Sequence, residues 1–148
     1  MEFIKLHNKG HLGGNPFTAC RRFVAGMRFL SDFERSVFRE HYKCCLNRDV
    51  RTNRPSADNL NEITATDRYL RAARVLGTGI DYQAVKTIIL DDLPPTAFKR
   101  AARLSSYTQV YRLLWRALDK LDEHYEEQDY EENSPQGFNK HTKNRRAD

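Results

Sequence analysis

The fold is decided by residues Phe98–Tyr125, FKRAARLSSYTQVYRLLWRALDKLDEHY. The second half of this stretch repeats apolar residues at the i, i+3, i+4, i+7 spacing of one helix face. The first half has a shorter apolar pattern, and Ser105 and Ser106 between the halves favour a turn and a helix cap. The stretch therefore predicts a helix-turn-helix. The apolar positions of its second helix are Tyr107, Val110, Tyr111, Leu114, Ala117, Leu118, Leu121 and Tyr125.

Positive charge is concentrated on the same stretch. The chain has a formal charge of +5, which fits a polyanion-binding protein but also occurs in proteins that bind no nucleic acid. Between Pro95 and Lys120 the only anion is Asp119, whereas Asp122–Glu132 is acidic and contains no lysine or arginine. A solvated basic helix face is the alternative interpretation. The cations of the basic stretch are Lys99, Arg100, Arg103, Arg112, Arg116 and Lys120.

Four further helices are predicted before this stretch, and breaks in the pattern set their ends. Pro16 can occupy the first turn of a helix, and Ser31 followed by Glu34 is typical of a capping box that starts another helix. The β-branched segment Val85–Leu90 also suits a strand, but its apolar positions fit a period of 3.6 better. The predicted helices are 16–30, from Ser31 to about Cys45, from Thr66 to Gly77, and from Asp81 to Leu93, followed by a short helix from Pro95 to Leu104.

The chain is predicted to form one domain with unstructured ends. Its 148 residues allow one modest core, and the first 15 residues are glycine-rich without a sustained period. The predicted division is a flexible lead at 1–15, a helical DNA-binding domain at 16–127 with a loop at 47–61, and a disordered tail at 128–148. The predicted fold class is all-α: a small helical bundle that contains a helix-turn-helix, with disordered termini.

Other functional classes have few signals in the sequence. No run of about 18 apolar residues and no signal-peptide core is evident, so we expect a cytoplasmic protein without a membrane partner. His41 and Cys44 form the one plausible HxxC pair, with Cys45 and Cys20 as further thiols, which is weak for a zinc site. No nucleophile motif is recognisable. We therefore predict no metal, no cofactor, no catalytic residue and no enzymatic activity.

The DNA-binding roles follow from placing the second helix of the motif in the major groove. Gln109 and Arg112 lie in its first turns, where they are predicted to meet adenine and guanine edges, respectively. Phosphate contacts hold the register of such a helix on the duplex without reading sequence. Those contacts are predicted for Lys99, Arg100, Arg103 and Arg116 and, with free N–H groups at the helix start, for Ser106 and Thr108.

Residues 101–121, AARLSSYTQVYRLLWRALDKL, resemble the helix-turn-helix of many bacterial regulators. Ala101 and Ala102 match the point where the two helices cross, and Ser105 or Ser106 stands in the place of the usual turn glycine. The wider segment Asp67–Tyr125, which ends in LLWRALDKLDEHY, is similar to a C-terminal domain of alphaproteobacterial and phage regulators, including gene-transfer-agent activators. The resemblance implies a transcriptional regulator that works on DNA or with RNA polymerase.

The predicted function is sequence-specific DNA binding by a transcriptional regulator of phage or bacterial type. One alternative is a DNA-packaging protein of the small-terminase type, in which the long helix oligomerises and Leu113 and Trp115 widen its apolar arc. Another is a regulator that binds a protein of the transcription machinery through the acidic segment Asp122–Glu132. The expected partners are double-stranded DNA, RNA polymerase or another transcription protein, and further copies of the chain.

Overall fold

The computed structural model describes residues 1–38 and 56–133, and every regular element in these two ranges is a helix. The predicted all-α fold class, a small helical bundle, is confirmed. None of the helices in the described residues is long and apolar enough to cross a membrane. The elements are α1 (Glu2–Asn8), α2 (Pro16–Arg35), α3 (Ser56–Leu76), α4 (Ile80–Val85) with a π-helical turn at Lys86–Leu90, α5 (Pro95–Ala101) and α6 (Tyr107–Asn133).

Helix α6 is the centre of the bundle. Helices α2, α3, α4 and α5 all pack against it. Its predicted core stripe is confirmed except at the start of the helix, where Tyr107 is 45% exposed and Tyr111 is half-buried. The buried residues of this stripe are Val110, Leu114, Ala117, Leu118, Leu121 and Tyr125.

Helix α2 runs without a break from Pro16 to Arg35, so the predicted start of a new helix at Ser31 is wrong. Asn15 caps the helix, since its side chain accepts a hydrogen bond from the backbone N–H of Thr18 at 2.8 Å. Ser31 lies inside the helix, where its hydroxyl accepts a hydrogen bond from Arg35 at 2.7 Å. Ser31 therefore makes a side-chain contact within α2 and does not cap a helix.

Packing against α3 explains why α2 does not break. Phe29 and Phe33 are both buried, with ring centroids 5.1 and 5.3 Å from that of Tyr69 on α3. An unbroken helix brings both rings to the same side, because residues four apart lie on one face. The helical spacing of Phe17 and Val24 predicts that both lie on the inner face of this helix, but they are 70% and 55% exposed.

The start of the chain is not the flexible lead that the sequence predicts. Residues Glu2–Asn8 form α1, in which Phe3 and Leu6 are buried. A Cβ atom on Gly26 of α2 would lie 2.5 Å from the ring of Phe3, so the close approach of α1 depends on glycine at this position. A helix this short is unstable by itself, and its packing supplies the stability that a local pattern does not reveal.

Helix α3 begins at Ser56, well before the predicted helix start at Thr66. The end of the predicted loop at 47–61 is therefore helical, and that part of the prediction is wrong. Leu60 and Ile63 in the added turns are 64% and 60% exposed. Because neither residue lies on a buried face, apolar periodicity does not predict these turns.

Helix α4 confirms the helical interpretation of the β-branched segment. It starts at Ile80 and continues as the π-helical turn at Lys86–Leu90. The wider π turn allows the adjacent residues Ile88 and Ile89 both to enter the core. The helical spacing of the apolar residues also predicts Leu93 on the buried face, but Leu93 is 42% exposed after the helix has ended.

Helix α6 continues to Asn133, so the predicted disordered tail at 128–148 is wrong for its first residues. Asp129 in these added turns accepts hydrogen bonds from Arg28 of α2 at 2.8 and 2.9 Å, which ties the end of α6 to the bundle. The rest of the predicted tail lies outside the described residues. So do residues 39–55, which contain the second half of the predicted second helix and the start of the predicted loop.

Candidate nucleic-acid interface

Helices α5 and α6 are the two helices predicted for the helix-turn-helix. Helix α5 ends at Ala101 rather than at Leu104, and residues 102–106 connect it to α6. Phe98 anchors α5 because its side chain is completely buried, whereas Ala101, which was predicted to lie at the helix crossing, is exposed. The apolar contact between the two helices therefore depends on Phe98.

Arg103 forms the turn between these helices. Its φ of 56° is in the left-handed region that favours glycine. The N–H of Leu104 donates to the carbonyl of Lys99 at 2.9 Å, and the N–H of Arg103 donates to that of Arg100 at 3.2 Å, which is the bond pair of a Schellman motif. The residue in the glycine-like position is thus an arginine, and the predicted serine at that position is wrong.

Gln109 holds the start of α6. Its Oε1 accepts hydrogen bonds from the backbone N–H and the hydroxyl of Ser105 at 2.9 and 3.0 Å. The N–H of Gln109 in turn donates to the Ser106 hydroxyl oxygen at 3.4 Å, so the two residues resemble a capping box. In the absence of DNA, both residues predicted to contact it, Gln109 and Ser106, are thus hydrogen-bonded at the start of α6. Thr108, in the same turn, is exposed.

Arg116 belongs to an ionic clamp with α4. Asp81 is only 5% exposed, and one of its carboxylate oxygens accepts two hydrogen bonds from Arg116, at 2.8 and 3.0 Å. Its other oxygen accepts a hydrogen bond from Lys120. Desolvation acts to raise the pKa of Asp81, but the bonds from Lys120 and Arg116 outweigh it and hold that pKa below its usual range. Arg116, which was predicted to contact phosphate, is thus paired with Asp81 within the chain.

Four cations of α5, the turn and α6 have no acidic partner among residues 1–38 and 56–133. Arg100, Arg103 and Arg112 are exposed, and Lys99 is half-buried. The ammonium of Lys99 lies 5.2 Å from the ring centroid of Tyr107, which leaves its charge unneutralised. The structure thus keeps these four positive charges on α5, the turn and the second turn of α6.

Three arginines of α2 provide the contrast, because they are paired with acidic residues of α6. Each pair has a nitrogen–oxygen distance of 2.9 Å or less, and Arg28 also lies 4.4 Å from the ring centroid of Tyr125. The acidic segment predicted to face a basic partner is therefore partly neutralised within the chain. The pairs are Arg21 with Asp122 and Glu126, Arg22 with Asp119, and Arg28 with Asp129.

Trp115 is occupied by contacts within the chain. Its indole N–H donates to the carbonyl of His11 at 2.8 Å, and Arg22 lies 5.4 Å from the centroid of its ring. A Cβ atom on Gly13 would be 2.7 Å from the ring, so the backbone at Gly13 covers it closely. Leu113 packs at the edge of the core. Neither residue provides the apolar surface that the packaging alternative requires.

No group of histidine, cysteine, aspartate and glutamate side chains in the described part of the chain is arranged to hold a metal ion. Cys20 is an exposed free thiol on α2. The other three candidate ligands, His41, Cys44 and Cys45, lie outside the described residues.

Comparison with protein-family models, with curated proteins and with solved structures finds no match to this chain. The resemblance to helix-turn-helix regulators therefore stays a prediction from the residues that carry it.

Proposed function

We propose that the protein binds double-stranded DNA through α5, the turn at Arg103 and the first turns of α6, and that it acts as a transcriptional regulator. One observation carries the proposal. Lys99, Arg100, Arg103 and Arg112 have no acidic partner among the described residues, whereas three arginines of α2 and the cations Arg116 and Lys120 of α6 are paired with acidic side chains.

Unpaired cations on neighbouring elements favour a polyanionic partner. Each phosphate that a lysine or arginine neutralises releases a counterion from the duplex, and this release supplies most of the sequence-independent affinity. If α6 enters the major groove, Arg103 at the turn and Arg100 on α5 would contact phosphates. Exposed Thr108 can add a phosphate contact at the start of α6.

Sequence reading is assigned mainly to Arg112. Its guanidinium can donate two hydrogen bonds to a guanine edge in the major groove. Gln109 is committed to Ser105, so the second predicted base contact is not part of the proposal. We therefore expect Arg112 to account for most of the discrimination between sites, at about 1–3 kcal/mol.

The test is binding of wild type and charge variants to duplex DNA selected from genomic fragments, followed by fluorescence anisotropy at 0.1 M salt. Arg100→Gln should weaken binding about fivefold on all duplexes, because it removes one phosphate contact. Arg112→Gln should weaken the selected duplex and also reduce the preference for it over an unrelated duplex.

Arg71→Gln is the matched control. It removes the same charge from an exposed arginine of α3 that is paired with Asp67 at 3.1 Å. We expect this variant to bind as wild type does. The proposal fails if the control loses as much affinity as Arg100→Gln and Arg112→Gln, or if wild type binds no duplex.

The regulatory role belongs to the same proposal and rests on the resemblance described above. A contact with RNA polymerase or another transcription protein would use acidic residues that the α2 arginines leave exposed, such as Glu123, Glu127 and Glu131. Selected fragments that map to promoter regions would support transcription. Fragments that map to one end of a phage genome would favour packaging.

A further inference from the structure

A cavity of about 940 Å³ opens between α2, α3 and α4, and none of its lining residues belongs to the proposed DNA contact. Phe33, Phe38, Leu70 and Ala73 supply apolar walls. The size falls in the range of about 300–1,000 Å³ that is usual for small-molecule sites, and predominantly apolar walls are also usual there.

Arg74 gives the cavity its electrostatic character. It is an exposed residue in the last turn of α3, and its side chain has no ion pair or hydrogen bond within the described residues. No acidic side chain is found among the described residues that line the cavity. Arg74 therefore supplies a positive charge at the described wall, which favours an anionic ligand.

Two hydrogen-bonded hydroxyl groups lie on the wall of the cavity. The hydroxyl groups of Tyr69 and Tyr82 are 2.7 Å apart in a hydrogen bond that joins α3 to α4. The ring of Tyr69 also contacts Phe33 and Phe38, with centroids 5.3 and 5.6 Å away. These contacts hold the aromatic walls in place.

We propose that this cavity binds a small hydrophobic carboxylate. The apolar body of the ligand would lie against Phe33, Phe38 and Leu70, and its carboxylate would pair with the guanidinium of Arg74. Arginine and a carboxylate can form two parallel hydrogen bonds, which makes the pair specific for this group over a neutral one. The proposal is independent of DNA binding.

The test is calorimetric titration of the full chain with 1-naphthoate and with decanoate, which separate a flat aromatic body from an acyl chain. The neutral analogues 1-naphthamide and decanol are titrated in parallel. We expect at least one carboxylate to bind about tenfold more tightly than its neutral analogue, and Arg74→Gln to remove that difference while Arg71→Gln retains it.

Leu70→Trp is the second variant. Leu70 is 42% exposed, so a larger side chain can enter the cavity without displacing the core, and thermal denaturation will show that the variant is folded. We expect it to abolish ligand binding. Several results would overturn the proposal: no binding of either carboxylate, equal binding of the neutral analogues, or unchanged binding in Arg74→Gln. Self-association that Leu70→Trp removes would assign the cavity to a second copy of the chain instead.

Discussion

Arg103 combines the left-handed backbone of the turn with one of the unpaired charges. A residue other than glycine at φ 56° destabilises the turn, yet an arginine occupies it here. The stability and the charge can be separated by substitution, because glycine removes both the strain and the cation whereas alanine removes only the cation.

Arg103→Gly should raise the free energy of unfolding by about 0.5–1 kcal/mol, because glycine adopts the left-handed conformation without strain. Arg103→Ala should leave it nearly unchanged. Both variants should bind duplex DNA several-fold more weakly than wild type, since both lose one phosphate contact. Urea denaturation and anisotropy measure the two effects, and wild-type DNA affinity in both variants would contradict the role of Arg103.

Asp32 is a buried carboxylate whose pKa is shifted in opposite directions by its burial and by nearby arginines. It is 4% exposed on α2, and its Oδ2 has no hydrogen-bond partner in the described residues. Desolvation raises the pKa of its carboxyl above the usual value, although Arg68, Arg28 and Arg35 partly oppose the shift. Protonation of Asp32 is therefore more favourable in the folded protein than in the unfolded chain.

Asp32→Asn should stabilise the protein at pH 7 by about 1 kcal/mol, because it replaces an unpaired buried charge with a neutral group. Because the folded-state pKa is raised, wild-type Asp32 contributes its stability fully below the unfolded pKa of about 3.9 and loses it as pH rises through the folded pKa. The advantage of the variant should thus grow between pH 4 and pH 7. Urea denaturation across this range measures it, with Asp67→Asn on the surface as control, and a less stable Asp32→Asn variant at pH 7 would rule out the assignment.

At the scale of elements, periodicity predicted α6, α4 and α5 because each presents an apolar face to one core. Local cap signals predicted less well. Ser31 has the right neighbours for a helix start, yet Phe29 and Phe33 pack on Tyr69 and keep α2 unbroken. The stabilisation from tertiary packing can thus exceed that from a helix cap, which is about 1 kcal/mol.

The cations Arg100, Arg103 and Arg112 of the proposed DNA contact are evident in the sequence, but their lack of acidic partners is not. The ion pair of Arg116 with Asp81 was not predicted, because the two residues are distant in sequence and only the packing of α4 on α6 brings them together. The capping role of Gln109 has a local signal, since a glutamine three residues after a serine is typical of a capping box.

The contact of α1 with α2 gives a prediction at this scale. Gly26→Ala should destabilise the protein by about 1–3 kcal/mol, because the added Cβ would lie 2.5 Å from the ring of Phe3. Phe3→Leu in the same chain should recover part of the loss by shortening the opposing side chain. Thermal denaturation of the single and double variants measures this coupling. A Gly26→Ala variant as stable as wild type would show that α1 does not dock on α2 as described.

At the scale of the whole molecule, the charges divide into two groups. Arginines of α2 hold the acidic half of α6, and Asp81 holds Arg116 and Lys120, so this part of the fold neutralises its own charge. The cations of α5, the turn and the second turn of α6 are not paired with acids in the described residues, and neither is Arg74 beside the cavity. The cavity beside Tyr69 lies elsewhere, so a ligand and DNA would occupy different surfaces.

The most direct test of DNA binding through the unpaired cations is the salt dependence of wild-type affinity for duplex DNA. Three phosphate contacts, from Lys99, Arg100 and Arg103, predict a slope of about −3 in a plot of log K against log salt concentration. A slope near zero, or no measurable binding at the lowest salt concentration, would contradict the account.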